Sequence, residues 1–254
     1  MHISEIFSTF YDLMRLAFLI LSLTLLPLAA PAWDHSYSLL RDSVLIPFVE
    51  PDYVDYQGLL DHRGPLDRFI DTCSRVSFDQ YQSFSREQQI AFLINLYNAA
   101  TLQLILNHWP LTSIREIGGL LVSPWTKKFI RLFDRTIGLG QIQHDILRPE
   151  FHDPRLHFAL FNTARSGPAL PAEPYQPEVL DEQLRRQMDI FLTERTDVNY
   201  WQDRTLYLTP IFHWYESDFG KRDGIRALVK PYFPALSDST TIRYTEYDWS
   251  LNFR

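Results

Sequence analysis

The sequence predicts an α+β fold, in which a helical body surrounds a small, mostly antiparallel sheet. Of the 254 residues, 46% are apolar and 22% are charged, which is the mix of an ordinary globular protein rather than of a disordered or collagen-like chain. One long apolar segment has helical periodicity, and the strand candidates do not alternate regularly with helices. This order argues against a doubly wound parallel sheet and favours helices packed around a small sheet.

The N-terminal segment has the pattern of a signal peptide. Leu16–Ala30 carries no charge, but it is shorter than the ~20 apolar residues of a membrane-spanning helix. Ala30, Pro31 and Ala32 provide an A-x-A cleavage site. We therefore expect residues 1–32 to be a signal peptide, with Met14 as an alternative start, and residues 33–254 to form a single periplasmic or secreted domain. The alternative is an uncleaved N-terminal segment that anchors the chain in a membrane.

The clearest helix is predicted from Arg86 to Asn107. Ser85 can cap it, and Gln88 three residues later completes a capping box. Apolar residues recur at three- and four-residue steps on two faces, which predicts burial nearly all round. A second helix is predicted from Glu178 to Glu194. The other predicted elements are short helices at Gln141–Arg148 and Ile211–Phe219 and strands at Phe129–Phe133, Leu156–Phe161, Leu206–Leu208 and Ile242–Tyr247.

Charge and cysteine content exclude several classes of function. The formal charge is −7 and no run of Lys and Arg stands out, so nucleic-acid binding has little support. Cys73 is the only cysteine, which excludes an intrachain disulfide, a CxxC redox motif and a cysteine-based zinc site. Its position at the end of a helical pattern is typical of a small buried hydrophobe. The sequence contains no metal, P-loop or dinucleotide motif, so we expect no cofactor.

Two groups of polar residues are candidates for a functional site. Asn95 and Asn98 lie three residues apart in the apolar helix, where buried amides need partners. They are candidate binding residues, although we favour the interpretation that they hold the backbone of a neighbouring loop. The second group lies within residues 141–170 and consists of His144, Arg148, His152, Arg155, His157, Arg165 and Ser166.

The second group allows three interpretations. His144 and Arg148 share a helix face, and His157 begins a predicted strand, so the two histidines could form an acid–base pair. Arg148 and Arg155 could instead anchor an anionic group. The third interpretation is a hydrogen-bonded polar seam between helix and sheet, and these residues alone favour it.

Five blocks of the chain read, in order, AFLINLYNAATLQLIL, IQHDILRP, DPRLHFALFNTARSGPAL, FHWYESDF and YDWSLN. Together they span nearly all of residues 54–252 and resemble the domain-of-unknown-function family 547. The resemblance implies an exported or membrane-associated bacterial protein. It also implies a distant likeness to papain-like or transglutaminase-like folds, with a Cys and a His as a catalytic pair.

The chain departs from the family pattern where that pair is expected. The family usually reads CASKSCPPL after the HFAL block, and this chain has Asn162 and Gly167 in place of the two cysteines. Gln143 replaces the glutamate of the family's IEH. The family cysteines could be a nucleophile or a disulfide, and the sequence leaves both alternatives open. Thiolate chemistry requires a cysteine, so this chain is not expected to perform it.

The resulting prediction is a non-catalytic member of its family that binds a small ligand or an envelope protein, with no nucleic-acid partner. The alternative is a hydrolase or acyl transferase in which Ser166 is the nucleophile and His144 or His157 is the base. A third hypothesis is a structural component of the cell envelope.

Overall fold

A long helix without a polar face forms the centre of the molecule. In the computed structural model, which describes residues 33–119 and 122–253, this helix, α5, spans Arg86–Leu106. The predicted capping box is present: the Gln88 amide donates to Ser85 Oγ at 3.3 Å, and the Ser85 amide donates to Gln88 Oε1 at 2.8 Å. Residues on every face of α5 are buried, which confirms the prediction from its two apolar faces.

The other α-helices are α1 to α4 before α5 and α6 to α10 after it. Two of them, α1 and α6, contain a central π-helical turn, and a 3₁₀ turn at Pro177–Val179 precedes α8. The bounds are α1, Ser38–Leu40, Arg41–Leu45 and Ile46–Phe48; α2, Tyr56–Asp61; α3, Gly64–Ser74; α4, Phe78–Gln82; α6, Leu139–Gln141, Ile142–Leu147 and Arg148–Phe151; α7, Leu156–Ala159; α8, Leu180–Thr193; α9, Ile211–Trp214; and α10, Lys221–Val229.

Two small sheets complete an α+β fold, as predicted. Strands β1 (Ile130–Leu132) and β2 (Arg135–Ile137) form an antiparallel hairpin. Strands β3 (Tyr200–Gln202) and β4 (Thr205–Leu208) are also antiparallel, whereas β5 (Thr241–Tyr244) pairs parallel to β4. Three of the four predicted strands therefore coincide with β1, β4 and β5.

The prediction of a strand at Leu156–Phe161 is wrong. Leu156–Ala159 forms the short helix α7, and the chain becomes extended only at Leu160. Residues 156–161 are all buried, so their side chains carry no alternation of buried and exposed positions. The two-faced pattern read from this apolar run, with His157 opposite Phe158, therefore does not exist.

The helix predicted at Ile211–Phe219 is shorter than expected. It ends at Trp214, and a turn follows over residues 215–220. This turn carries Tyr215 and Asp218 toward α6 and α7, where both contact His157. The early end of α9 therefore positions part of the candidate site.

A second apolar core lies between α8, α9, α10 and the sheet of β4 and β5. Phe158 of α7 is fully buried in this core against Phe191 and Phe212. Packing of α7 between this core and α5 fixes the position of His157, the residue before Phe158.

Within the described residues, α5 is the one helix that is long and apolar enough to cross a membrane. Of its most apolar 18-residue window, 89% is buried inside the protein, as in the core helix of a folded domain. The predicted signal peptide at residues 1–32 lies outside the described residues and stays a prediction.

Candidate functional site

Two asparagines of α5 hold the chain segments that build the site. Asn98 Nδ2 donates to the Ala159 carbonyl at 3.1 Å, and its Oδ1 accepts the Phe161 amide at 2.9 Å. Asn95 makes the same pair of bonds with the backbone of Tyr175, at 2.8 and 2.9 Å. Both amides thus hold neighbouring backbone, which is the interpretation that we favoured from the sequence.

The side chain of His157, in α7, is buried and has one hydrogen bond. Its Nε2 lies 2.8 Å from Asp218 Oδ2, and 2% of its side chain is exposed. The imidazole stacks on Tyr215 with a centroid distance of 3.9 Å and an angle of 16°. The other ring nitrogen, Nδ1, is buried without a hydrogen-bond partner.

Arg148 of α6 keeps Asp218 ionised. Its Nε and Nη2 donate to the two oxygens of Asp218 at 2.6 and 2.9 Å. This bidentate pair holds the pKa of the Asp218 carboxyl well below its usual range. An ionised carboxylate only accepts hydrogen bonds, so Nε2 of His157 carries the proton.

The imidazole of His157 is itself uncharged. Burial lowers the pKa of its imidazole to about 4, although the charge of Asp218 acts in the opposite direction. With the proton on Nε2, the unpartnered Nδ1 has a free lone pair. The site therefore presents a buried hydrogen-bond acceptor that no described residue uses.

His144 belongs to the same network but does not contact His157 by a hydrogen bond. Arg148 Nη1 donates to His144 Nδ1 at 2.9 Å. Partial burial of His144, followed by the charge of Arg148, lowers its pKa. Tyr215 lies beside both imidazoles, and Gln143 Nε2 donates to its hydroxyl at 3.2 Å. The predicted acid–base pair is thus replaced by a chain from His144 through Arg148 and Asp218 to His157.

A cavity of about 670 Å³ opens beside this network. We call it the aromatic pocket, because five aromatic residues line it: Tyr97, Trp125, Trp214, Tyr215 and Trp249. Polar groups on the same lining include Gln143, His144, His157 and Asn162, with Lys128 and Asp145. Its volume lies in the ~300–1,000 Å³ range of small-molecule sites.

The tryptophans of the aromatic pocket contact one another. Trp214 and Trp249 are stacked at 5.7 Å and 17°, and Trp125 meets Trp249 edge-on at 5.4 Å. Trp214 is 43% exposed, so part of this apolar surface faces solvent. Such rings provide flat apolar walls for a ligand.

Of the predicted site residues, only His144 and His157 are on this lining, and three of the others, Arg155, Arg165 and Ser166, have different surroundings. Arg155 binds Asp153 and Asp181, and the exposed Arg165 lines a different cleft, of about 1310 Å³. Ser166 is buried, and its Oγ accepts the Asp248 amide at 2.9 Å. Ser166 makes no hydrogen bond to His144 or His157, so the structure does not show the pairing that a serine nucleophile requires.

The two positions of the missing family cysteines are in contact. A Cβ atom placed on Gly167 would lie 2.2 Å from Asn162 Oδ1. Asn162 Nδ2 donates to the Tyr247 hydroxyl at 2.6 Å, and Oδ1 accepts the Ala164 amide at 3.1 Å. Asn162 also lines the aromatic pocket, so this position is close both to position 167 and to the cavity.

Sequence reasoning missed Asp218, Tyr215 and the tryptophan walls. Asp218 and Tyr215 lie in the FHWYESDF block, which indicated the family resemblance but not a pairing with residues of α6 and α7. Among the described residues, no group of three or more His, Cys, Asp or Glu is placed to hold a metal ion.

The comparisons with known proteins return one family. A family model described as "Protein of unknown function, DUF547" matches residues 81–192. This segment contains α5, α6 and α7, and therefore both histidines and Arg148. No curated protein and no solved structure matches the chain, so the expected likeness to papain-like or transglutaminase-like folds stays a prediction.

Proposed function

We propose that the chain binds a sugar unit in the aromatic pocket without catalysing a reaction on it. Residues 81–192 belong to the domain-of-unknown-function family 547, so the chain would be a non-catalytic member of that family. The observation that carries the proposal is that His157, whose buried Nδ1 has no hydrogen-bond partner, is one of the residues that line that pocket. Buried polar atoms in proteins nearly always have a partner, so an orphaned acceptor beside a cavity indicates a donor that arrives with a ligand. A hydroxyl group is such a donor.

The charges around the pocket favour an uncharged ligand. Arg148 and Arg155, the two anchors considered for an anion, are each bound to carboxylates. His157 is neutral because burial lowers its pKa. The remaining charges on the lining are Lys128 and Asp145, one of each sign.

The pocket walls favour a ring with one apolar face and a polar edge. Trp214 and Trp249 offer flat apolar surface, and Gln143, Asn162 and His157 offer hydrogen-bonding groups. A sugar ring has C–H groups on its faces and hydroxyl groups at its edge. Stacking on tryptophan and hydrogen bonding to His157 can therefore be satisfied by one molecule.

Titration with sugars tests this proposal. The probes are glucose, N-acetylglucosamine and their β-1,4-linked disaccharides, measured by tryptophan fluorescence and calorimetry. We expect saturable binding of at least one probe, weakened about tenfold or more in Trp214→Ala and in His157→Phe, equivalent to ~1.4 kcal/mol or more. Trp201→Ala is the matched control, because Trp201 is exposed to a similar extent but lies on β3, away from the pocket lining.

The outcomes separate binding from catalysis. Absence of saturable binding by every probe, or full affinity in Trp214→Ala, would contradict the proposal. Trp214 is exposed, so its replacement tests the site even where His157→Phe fails to fold. Recovery of the disaccharides unchanged after incubation is expected, and their cleavage would show that the non-catalytic assignment is wrong.

The serine-enzyme alternative stays a prediction, and the geometry gives it no support. Ser166 Oγ is engaged with the Asp248 amide and is buried. Labelling of the folded protein by a fluorophosphonate probe, lost in Ser166→Ala, would restore this alternative.

Export also stays a proposal, supported by the uncharged segment Leu16–Ala30 and the Ala-Pro-Ala site after it. N-terminal sequencing of the full chain after expression in a bacterium, combined with cell fractionation, tests it. The expected product starts at Trp33 in the periplasm or the medium, whereas an intact N-terminus in the membrane fraction indicates an anchor.

A further inference from the structure

A second cavity, of about 420 Å³, lies between α4, the β1–β2 hairpin and α6. We call it the hairpin pocket. Three aromatic residues line it: Phe78, Tyr81 and Phe133. Phe133 lies 5.3 Å from Phe78 and 4.8 Å from Tyr81 between ring centroids, so the three rings form one apolar surface. Phe78 is 51% exposed, so part of this apolar surface faces solvent.

Tyr81, which lines this cavity, has an unsatisfied polar atom. The residue is 3% exposed, and its hydroxyl oxygen is buried without a hydrogen-bond partner. Burial, and secondarily the charge of Glu150, raises the pKa of Tyr81, so the hydroxyl stays protonated and uncharged. A buried hydroxyl without a partner beside a cavity calls for a ligand with a polar group.

Acidic side chains dominate the charge of the hairpin pocket. Asp145 and Glu150 of α6 line it, and neither forms an ion pair within the described part of the chain. Arg135 of β2 is the one basic residue on this lining and also forms no ion pair there. With two carboxylates and one guanidinium, the lining has a net negative charge, which complements a cationic ligand.

From this geometry we propose that the hairpin pocket binds a small amine, with an ammonium group between Glu150 and the Tyr81 hydroxyl and an apolar body against Phe78 and Phe133. The ammonium donates hydrogen bonds to the carboxylate and to the unpartnered Tyr81 oxygen. Its positive charge is also attracted to the faces of the aromatic rings. The groups proposed to bind the amine line only the hairpin pocket, whereas Gln141 and Asp145 line both cavities.

The test compares three probes of one shape and different charge on the full chain. Phenethylamine carries an ammonium group, 2-phenylethanol is neutral, and 3-phenylpropionate is an anion. We expect calorimetry to show saturable binding of phenethylamine, with the alcohol and the acid bound at least tenfold more weakly. Equal binding of the alcohol, or tighter binding of the acid, would overturn the proposal, since the carboxylates would then not select the ligand.

Variants locate the amine on the protein. Glu150→Gln should weaken phenethylamine binding at least tenfold, and Tyr81→Phe should weaken it while keeping the ring. The side chain of Glu150 has no hydrogen bond or ion pair in the described structure, so its replacement should leave the fold intact. The control is Glu178→Gln, because Glu178 is exposed and lies outside this lining; this variant should bind phenethylamine normally. Unchanged affinity in Glu150→Gln would overturn the proposal.

A cross-check separates the two sites. Trp214→Ala removes a wall of the aromatic pocket but none of the hairpin pocket, so it should leave phenethylamine binding unchanged. Loss of amine binding in Trp214→Ala would place the amine in the aromatic pocket and overturn the assignment to the hairpin pocket.

Discussion

At the scale of single residues, Asn98 connects the central helix to the site. Its amide spans two backbone groups that no strand or helix satisfies, the Ala159 carbonyl and the Phe161 amide. Both groups lie within the segment that runs from His157 to Asn162. The side chain of Asn98 therefore sets the distance between α5 and the residues that line the aromatic pocket.

Replacing Asn98 by alanine should destabilise the protein. The change leaves one buried carbonyl and one buried amide without partners, and each such group costs about 1–3 kcal/mol. We expect a free energy of unfolding lower by about 2–4 kcal/mol in urea denaturation. Asn107→Ala is the control, because Asn107 interacts with Arg63 at the surface and should cost little. A loss below ~0.5 kcal/mol in Asn98→Ala would show that these bonds contribute nothing net.

The two asparagines also show what single residues reveal in a sequence. Amides at positions 95 and 98 in an otherwise apolar helix imply hydrogen bonds to other parts of the chain, and that implication is correct. The partners could not be named, because Tyr175 is 80 residues from Asn95 and Phe161 is 63 residues from Asn98. The local sequence pattern predicts that a residue is buried, whereas its hydrogen-bond partner depends on which distant segment the fold brings next to it.

At the scale of elements, α5 was predicted correctly and α7 was predicted as a strand, and the difference has a physical cause. The helix α5 is long, carries its own capping box and repeats its periodicity over several turns. The helix α7 has four residues and no side-chain cap, so nothing local distinguishes it from a buried strand. Packing of Phe158 into the second core and the bonds of Asn98 determine its conformation.

The segment after α7 shows how far positions 162 and 167, where the family has cysteines, lie from each other. A Cβ on Gly167 would be 2.2 Å from Asn162 Oδ1, an atom two bonds from the Asn162 Cβ. The two Cβ positions are therefore close to the ~3.5–4.5 Å separation of a disulfide. The geometry favours the disulfide over the nucleophile among the two alternatives that the sequence leaves open.

The double variant Asn162→Cys with Gly167→Cys tests this geometry. We expect the pair to oxidise in air to an intrachain disulfide, detected as the loss of thiol labelling in denaturant, and to raise the free energy of unfolding by about 2 kcal/mol. The control is Asn162→Cys alone, in which Cys73 is buried and should stay reduced. Two cysteines that remain reactive to maleimide under oxidising conditions would contradict the expected contact.

At the scale of the whole molecule, the site is assembled from distant segments. Asp218 lies 70 residues from Arg148 and 61 residues from His157, yet it bonds both. The sequence indicated His144, Arg148 and His157 because they are close in the chain. It could not indicate that the turn after α9 supplies the carboxylate, nor that Trp214 and Trp249 are stacked beside it. His144, Arg148 and His157 could therefore be predicted as site residues. The Asp218 carboxylate, which links Arg148 to His157, could not.

This network predicts how the stability of the whole protein depends on pH. His157 has a pKa lowered from 6.5 to about 4 in the folded protein, so the unfolded chain binds a proton more readily. Between pH 6.5 and 4 the unfolded state therefore holds more protons, and the free energy of unfolding falls as the pH falls. A pKa difference of this size corresponds to about 3 kcal/mol. His144 and Asp218, whose pKa values are also lowered, act in the same direction, Asp218 mainly below pH 4.

Urea denaturation at a series of pH values, on the protein and on His157→Phe, measures this contribution. The wild-type free energy of unfolding should fall by about 3 kcal/mol from pH 7 to pH 4, and the fall should be much smaller in the variant, which has no proton to bind at that position. His62→Gln, at an exposed histidine, should keep the wild-type slope. If His157→Phe does not fold, NMR titration of His157 in the wild type gives the pKa directly. A pKa near 6.5, or a slope unchanged in the variant, would show that His157 is solvated rather than held neutral behind Asp218.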